Sequence, residues 1–342
     1  MSATILIEDI EAGRAAALIR QGQLVDLLID GADGGPPRPG AIFAAKVERP
    51  IKGAGGALVA LGDGQTGFLR DAKGLAPGQR VLVQVSTYAE PGKSAPVTRR
   101  LLFKSRYAIV TPEAPGLNIA RSIHDEEMRV ELRALAEEVA GDLPHGMILR
   151  SACGGADLDA IATDIDRMIT LANQVLADDS ATPALLLEGA DAELAAWRDW
   201  PTDAEVLDET GAFDSCDVWS EIDRLKRVRH ELPGGAWMAV ERTAALISVD
   251  VNTGGDLSAA ACLKANRHAA RDLPRALLLR GLGGQIVVDF APMGKKDRRE
   301  IETILRAALR QDPIETSFAG WSNIGLAELV RKRERRPIAE VM

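Results

Sequence analysis

Two short runs ending in aspartate constrain this chain most: Ala245-Leu246-Ile247-Ser248-Val249-Asp250-Val251-Asn252 and Gly284-Gln285-Ile286-Val287-Val288-Asp289-Phe290. Each is apolar and rich in β-branched residues, the signature of a buried strand. Each also carries a carboxylate that an apolar interior rejects unless a cation meets it. The stretch between them reads largely as helix. Strand–helix–strand units set parallel strands in one sheet, so both carboxylates can emerge at the same edge. Two acids there, with Asn252 beside them, offer the oxygen ligands that Mg2+ takes, since that ion keeps several waters and is held by one or two carboxylates. Such a site suits metal-assisted hydrolysis of a phosphodiester. The plainer alternative is that both aspartates cap buried strands.

A chain of 342 residues has room for two or three domains, and its 46% hydrophobic content supports a real core. The net charge of −9 runs against the basic footprint of a nucleic-acid binder. The charge is unevenly spread, however: Lys295-Lys296-Asp297-Arg298-Arg299 and Arg331-Lys332-Arg333-Glu334-Arg335-Arg336 are basic, while the middle is acidic. Either run reads first as a solvated face. Cys153, Cys216 and Cys262 are scattered and form no Cys-x-x-Cys pair, so neither a zinc knuckle nor a disulfide framework is indicated. Met1-Ser2-Ala3-Thr4 begins no basic, apolar leader, and no run reaches membrane-spanning length, so a cytoplasmic protein without a membrane partner is expected.

The pattern along the chain reads as an α/β unit interrupted early by an all-β insertion. Thr4–Ile7 and Gln23–Ile29 read as strands with a helix start between them. The Gly/Pro-rich segment Gly31–Gly40 reads as a linker. From Ala41 to about Phe103, short β-runs (Ile42–Val47, Ala57–Leu61, Gly67–Leu69, Arg80–Val85) separated by turns suggest a small OB-type barrel. A strand at Arg106–Val110 follows, then a helix from about Asp125 to Ala140, a strand at Met147–Arg150, a helix at Leu158–Leu176 and a strand at Ala184–Leu187. The last third, from Glu231, reads strand, strand, helix, strand, helix, with a closing helix at Ile324–Arg331.

The order of elements, the two aspartate runs, Thr243-Ala244 before the first, Gly254-Gly255-Asp256 after it, and Leu279-Arg280-Gly281-Leu282-Gly283 before the second resemble the ribonuclease E/G family of bacterial endoribonucleases. Leu309-Arg310-Gln311-Asp312, Gly325-Leu326 and the opening Ala17-Leu18-Ile19-Arg20-Gln21-Gly22-Gln23-Leu24-Val25-Asp26 fit the same pattern, which spans nearly the whole chain. The resemblance implies an α/β (α+β) multi-domain fold in which an RNase-H-like domain (1–37 and 183–230) is interrupted by an S1-type OB barrel (38–104) and a 5′-end sensor (105–182). A DNase-I-like catalytic domain (231–342) follows. It also implies a Mg2+-dependent endoribonuclease of single-stranded RNA, serving RNA processing, rRNA maturation or mRNA decay and leaving 5′-phosphate and 3′-hydroxyl ends.

By the same resemblance Asp250 and Asp289 hold the metal, Asn252 orients the water or the phosphate, and Arg150-Ser151 grips a 5′-monophosphate, a task suited to a guanidinium fork plus a hydroxyl. Phe68 stacks a base and Lys93 meets the backbone. Read alone, Arg150 equally suits a surface arginine and Phe68 a core residue. The chain departs from the family in three places. Thr253-Gly254-Gly255 replaces a longer basic loop, Phe290-Ala291-Pro292-Met293 lacks a usual carboxylate, and no zinc-binding cysteine pair precedes Met342. No zinc is therefore expected, and any homo-oligomer would form without a zinc link. Leu58 stands where a second barrel aromatic is usual. These losses motivate an alternative, an RNA-binding relative with reduced or lost catalysis. A DNA nuclease fits the metal chemistry but not the barrel or the sensor.

Overall fold

The computed structural model describes residues 3–32, 34–51, 53, 55–141 and 145–342. Met1, Ser2 and Asp33 of the expected linker lie outside the described residues. The chain divides into two compact units, one made of the residues up to Gly35 together with Ala204–Met342, the other of Pro36–Asp203.

The first unit begins with three antiparallel strands, β1 (Ala3–Ile10), β2 (Gly13–Arg20) and β3 (Gln23–Ile29). The helix start expected between β1 and β3 is therefore a strand. Ala15, Ala16 and Ala17 are buried on both faces between two neighbours, so tertiary pairing overrides the helix preference of an alanine run. The two-residue turn Gln21-Gly22 has positive φ at both positions, which favours a tight hairpin.

The second unit opens with β4 (Ile42–Ile51), β5 (Gly56–Gly62), β6 (Gln65–Leu69), β7 (Arg80–Val85) and β8 (Ala95–Thr98). They run in the order β4-β5-β6-β8-β7 and close through a β4–β7 pairing, the OB-like barrel expected from the turns. Val47, Val59, Leu69, Val83 and Val97 fill its interior. A second sheet comprises β9 (Phe103–Lys104), β10 (Ala108–Thr111), β11 (Leu117–Ile119) and β12 (Gly146–Leu149), with helices α1 (Glu126–Ala140) and α2 (Leu158–Leu176) packed on it. Both helices start where an aspartate caps them: Asp125 accepts from the amides of Glu127 and Met128, and Asp157 from that of Ala160. β13 (Ala184–Leu187) pairs with β4, and α3 (Ala192–Asp199) ends the unit.

Back in the first unit, β14 (Glu205–Asp208) lies parallel to β1, and α4 (Ala212–Ser215) and α5 (Val218–Leu225) cover that sheet through Phe213, Val218 and Ile222. The buried Glu8 carboxylate accepts from the amides of Gly211 and Phe213, so its charge meets the start of α4.

The chain then builds β15 (Arg229–Glu231), β16 (Trp237–Arg242), β17 (Ile247–Asn252), α6 (Ala259–Leu279), β18 (Gly284–Asp289), α7 (Lys295–Leu309), β19 (Thr316–Trp321), β20 (Ala327–Arg331) and α8 (Ile338–Val341). The six strands form one sheet in the order β15-β16-β17-β18-β20-β19. The helix expected at Ile324–Arg331 is strand β20. Its burial alternates, Ala327, Leu329 and Arg331 inward and Glu328 and Val330 outward, a period of two that no helix supports. α6 and α7 pack on one face of the sheet through Ala265, Ala269, Leu273, Leu277, Ile301 and Leu305. Each buried leucine or isoleucine there contributes roughly 1.5–3 kcal/mol of apolar transfer.

Much of the second basic run is consumed inside this unit. Arg331 and Asp312 form an ion pair with both side chains 0% exposed, Lys332 pairs with Glu315, and Arg335 with Asp26.

Candidate active site

The site grows from strand alternation. In β17, Ile247, Val249 and Val251 face the helices, so Ser248, Asp250 and Asn252 face the other way. In β18, Ile286 and Val288 face the helices and Asp289 points outward. β17 and β18 are parallel, with Asp250 and Asp289 as register partners on that outer face; neighbouring strands of a sheet run about 4.8 Å apart. Both are exposed. Asn252 Nδ2 donates to Asp250 Oδ2 at 2.8 Å, which fixes that carboxylate and leaves the amide oxygen free to accept.

The surroundings are acidic. Glu241 pairs in register with Ser248 and Glu328 with Val287, so both project from the same face as the aspartate pair. A polyanion approaching Asp250 and Asp289 meets repulsion unless a cation lies between them. The donor set is two carboxylates and one amide oxygen, without sulfur or imidazole. Among the described residues no cluster of three or more His, Cys, Asp or Glu side chains has metal-binding geometry. That set fits a hard cation that keeps most of its waters rather than zinc.

Two supporting features escaped the sequence reading. Asn266 of α6, fully buried, donates to the carbonyl of Ala291 and accepts from its amide, both at 2.9 Å. It thereby clamps the chain two residues beyond Asp289; an asparagine on an apolar helix face was the only available signal. Trp237, the register partner of Asn252, lies on the outer face, with the Arg229 guanidinium 4.5 Å from its ring centroid. Glu231 hydrogen-bonds that guanidinium, which holds the Glu231 carboxyl below and the arginine above their ordinary ranges. On the other side of Asn252, Gly254 has φ +80°, and a Cβ there would strike the Gly235 carbonyl oxygen, so the short loop requires glycine.

The remaining site residues named from sequence lie in the other unit. Phe68 is half-buried on the barrel exterior, in a row of register partners running Arg49, Leu58, Phe68, Pro96. Lys93 is exposed and pairs with Glu90 at 2.6 Å. Arg150 follows β12. Its Nη1 donates to the carbonyls of Ser105, Arg106 (3.2 Å) and Arg198 (3.0 Å), and its Nη2 to Asp199 at 2.6 Å, while Ser151 is exposed beside it. Burial alone would raise Asp199, but hydrogen bonding and charge from Arg198, then Lys104, hold it well below the usual carboxylate range. Burial lowers Lys104, outweighing the opposing pull of Asp199.

Comparison with known proteins matches residues 103–206 and 202–334 to the family described as the Ribonuclease E/G family. Ribonuclease G of Escherichia coli is 29% identical over 89% of this chain and 74% of its own length. Ribonuclease E of a Nostoc species is 28% identical over 97% of this chain and 56% of its own. Ribonuclease G of Haemophilus influenzae is 26% identical over 78% and 62% respectively. No helix among the described residues is long and apolar enough to cross a membrane.

Proposed function

This chain belongs to the ribonuclease E/G family, and from that premise we propose that it is a Mg2+-dependent endoribonuclease of single-stranded RNA whose centre is Asp250, Asp289 and Asn252. The observation that carries the reading is the register pairing of the two aspartates on an exposed, acidic sheet face. When bound there, Mg2+ supplies Lewis-acid chemistry, acidifying water and neutralising the scissile phosphate. The chain's own residues do the rest. Asp250 and Asp289 bind the cation from adjacent strands, and Asn252, anchored on Asp250, presents its amide oxygen to orient the nucleophile. The Trp237 ring offers a stacking surface for a base beside the scissile bond.

Within this reading the closed barrel acts as an S1-type RNA-binding domain, with Phe68 as a stacking residue between Leu58 and Pro96, Arg49 further along the same row, and Lys93 toward the backbone. The sheet bearing the aspartates acts as a DNase-I-like catalytic domain, and the strands of the chain's opening belong to an RNase-H-like part. A 5′-phosphate held by Arg150 and Ser151 would compete with Asp199 for the arginine fork.

The test is cleavage of a 5′-monophosphorylated oligoribonucleotide with and without Mg2+. Asp250→Asn and Asp289→Asn are each expected to abolish metal-dependent products while the protein stays folded. Retained activity in both variants would overturn the assignment. Tight RNA binding by the wild type with no products, even at high enzyme concentration, would leave a non-cleaving RNA binder.

A further inference from the structure

The turn into β3, α5, β15 and the end of α6 wall a cavity of about 460 Å3, whose lining includes Arg229 and Glu231 of β15 but neither Asp250 nor Asp289. That volume lies in the range of small-ligand sites. Its wall carries Arg224, Arg227, Arg229, Arg275 and Arg280 against three carboxylates. Each carboxylate is already engaged. Glu221 pairs with Arg224, Glu231 with Arg229, and Asp272 with His230 at 2.5 Å and with Arg275 at 3.8 Å.

Arg280 is the unusual member. It is 4% exposed, and among the described residues it makes no ion pair. Nη1 reaches His230 Nδ1 and the Ala276 carbonyl, and Nη2 the Arg227 carbonyl, all at 3.3 Å; the buried Nε has no hydrogen-bond partner. A guanidinium only donates, so His230 Nδ1 accepts and its Nε2–H is turned toward Asp272. His230 thereby takes Asp272 Oδ2 and Arg275 lies 3.8 Å from Oδ1, so the charge of Arg280 is met by no ion pair among the described residues. Burial pulls Arg280 down to about 10, a departure that Asp272 opposes and Arg275 reinforces. A buried polar atom without a partner calls for an explanation, and a guanidinium fork is shaped for the oxygens of a phosphate.

We propose that this cavity is an anion site for a phosphate-bearing ligand, with Arg280 as the buried donor and Arg227 as an exposed one. The shared chemistry is the phosphate group, supplied either by a free nucleotide or by the backbone of an RNA strand. Asp250, Asn252 and Asp289 are not in its lining, and the proposal does not depend on the nuclease reading.

The experiment is a calorimetric titration of the full chain with inorganic pyrophosphate in EDTA, paired with thermal unfolding. EDTA removes any divalent ion that could carry pyrophosphate to Asp250 and Asp289. Saturable binding and a raised unfolding midpoint are expected. Arg280→Gln should abolish binding, and the surface variant Arg227→Ser, which leaves the interior intact, should weaken it about fivefold or more. Asp250→Asn should bind as the wild type does, so failure here and failure of the nuclease reading show separately. Competition by a short 5′-hydroxyl RNA identifies the strand backbone as the source, and competition by a nucleoside diphosphate alone identifies a free nucleotide; both support the site. No saturable binding at millimolar pyrophosphate, or equal binding in the wild type and Arg227→Ser, would overturn it.

Discussion

Asn266→Ala removes the clamp on the loop beyond Asp289. Asn266 is fully buried and makes two 2.9 Å hydrogen bonds, one to each backbone group of Ala291, which is itself buried. Alanine leaves one buried amide and one buried carbonyl without their partner. At about 1–3 kcal/mol for each stranded group, the cost is roughly 2–6 kcal/mol. With a urea dependence of about 2 kcal/mol per molar, the unfolding midpoint should fall by roughly 1–3 M. Far-UV circular dichroism and tryptophan fluorescence can follow it together, since Trp321 packs against the same core. The loosened loop also frees the end of β18. The Mg2+ concentration for half-maximal cleavage should therefore rise, or the rate fall, by about 10–100-fold, as when a ligand's support is removed. An unchanged urea midpoint together with unchanged metal dependence would refute the clamp.

Three further outcomes are expected. Trp237→Ala should raise KM for RNA roughly 5- to 150-fold with little change in kcat, the loss of one base stack of about 1–3 kcal/mol; an unaltered KM removes Trp237 from the binding surface. Asp312→Asn leaves the Arg331 guanidinium buried and uncompensated, so equilibrium unfolding should show a loss of about 3–5 kcal/mol, and a loss below 1 kcal/mol would contradict the burial argument. Asp199 has a folded pKa below its unfolded value of about 3.9, so its stabilising contribution is present above about pH 5 and is lost as pH falls toward the folded value. Unfolding between pH 5 and pH 3 should be less pH-dependent in Asp199→Asn than in the wild type, and identical slopes would show that the cluster around Asp199 does not couple to folding.

What could be read from the sequence was local. Apolar residues at helical spacing announced α1, a signal carried within a few turns of one segment. The apolar, β-branched runs ending in Asp250 and Asp289 announced two strands, and the helix between them implied that they run parallel. What could not be read depends on distant partners. β2 is alanine-rich and becomes a strand only because β1 and β3 flank it. β20 takes its form from β18 and β19, which pair on either side of it. Nothing near Asn266 names Ala291, nothing near Arg331 names Asp312, and Arg280 gains its environment from β15 and α5. The second basic run looked like surface, yet Arg331 pairs with Asp312 in the interior and Arg335 with the largely buried Asp26, while Lys332 pairs with Glu315 at the surface, since a charge pattern says nothing about which acid folds against it.

A nuclease centre on this sheet requires that Asp250 and Asp289 share one divalent ion. Titration of Mn2+ followed by electron paramagnetic resonance measures that directly, with Mn2+ standing in for Mg2+ at an all-oxygen site. The expected result is a Mn2+ site in the wild type that is lost in both Asp250→Asn and Asp289→Asn and is displaced by excess Mg2+. Equal Mn2+ binding by the wild type and both variants would contradict the shared site and the nuclease mechanism built on it.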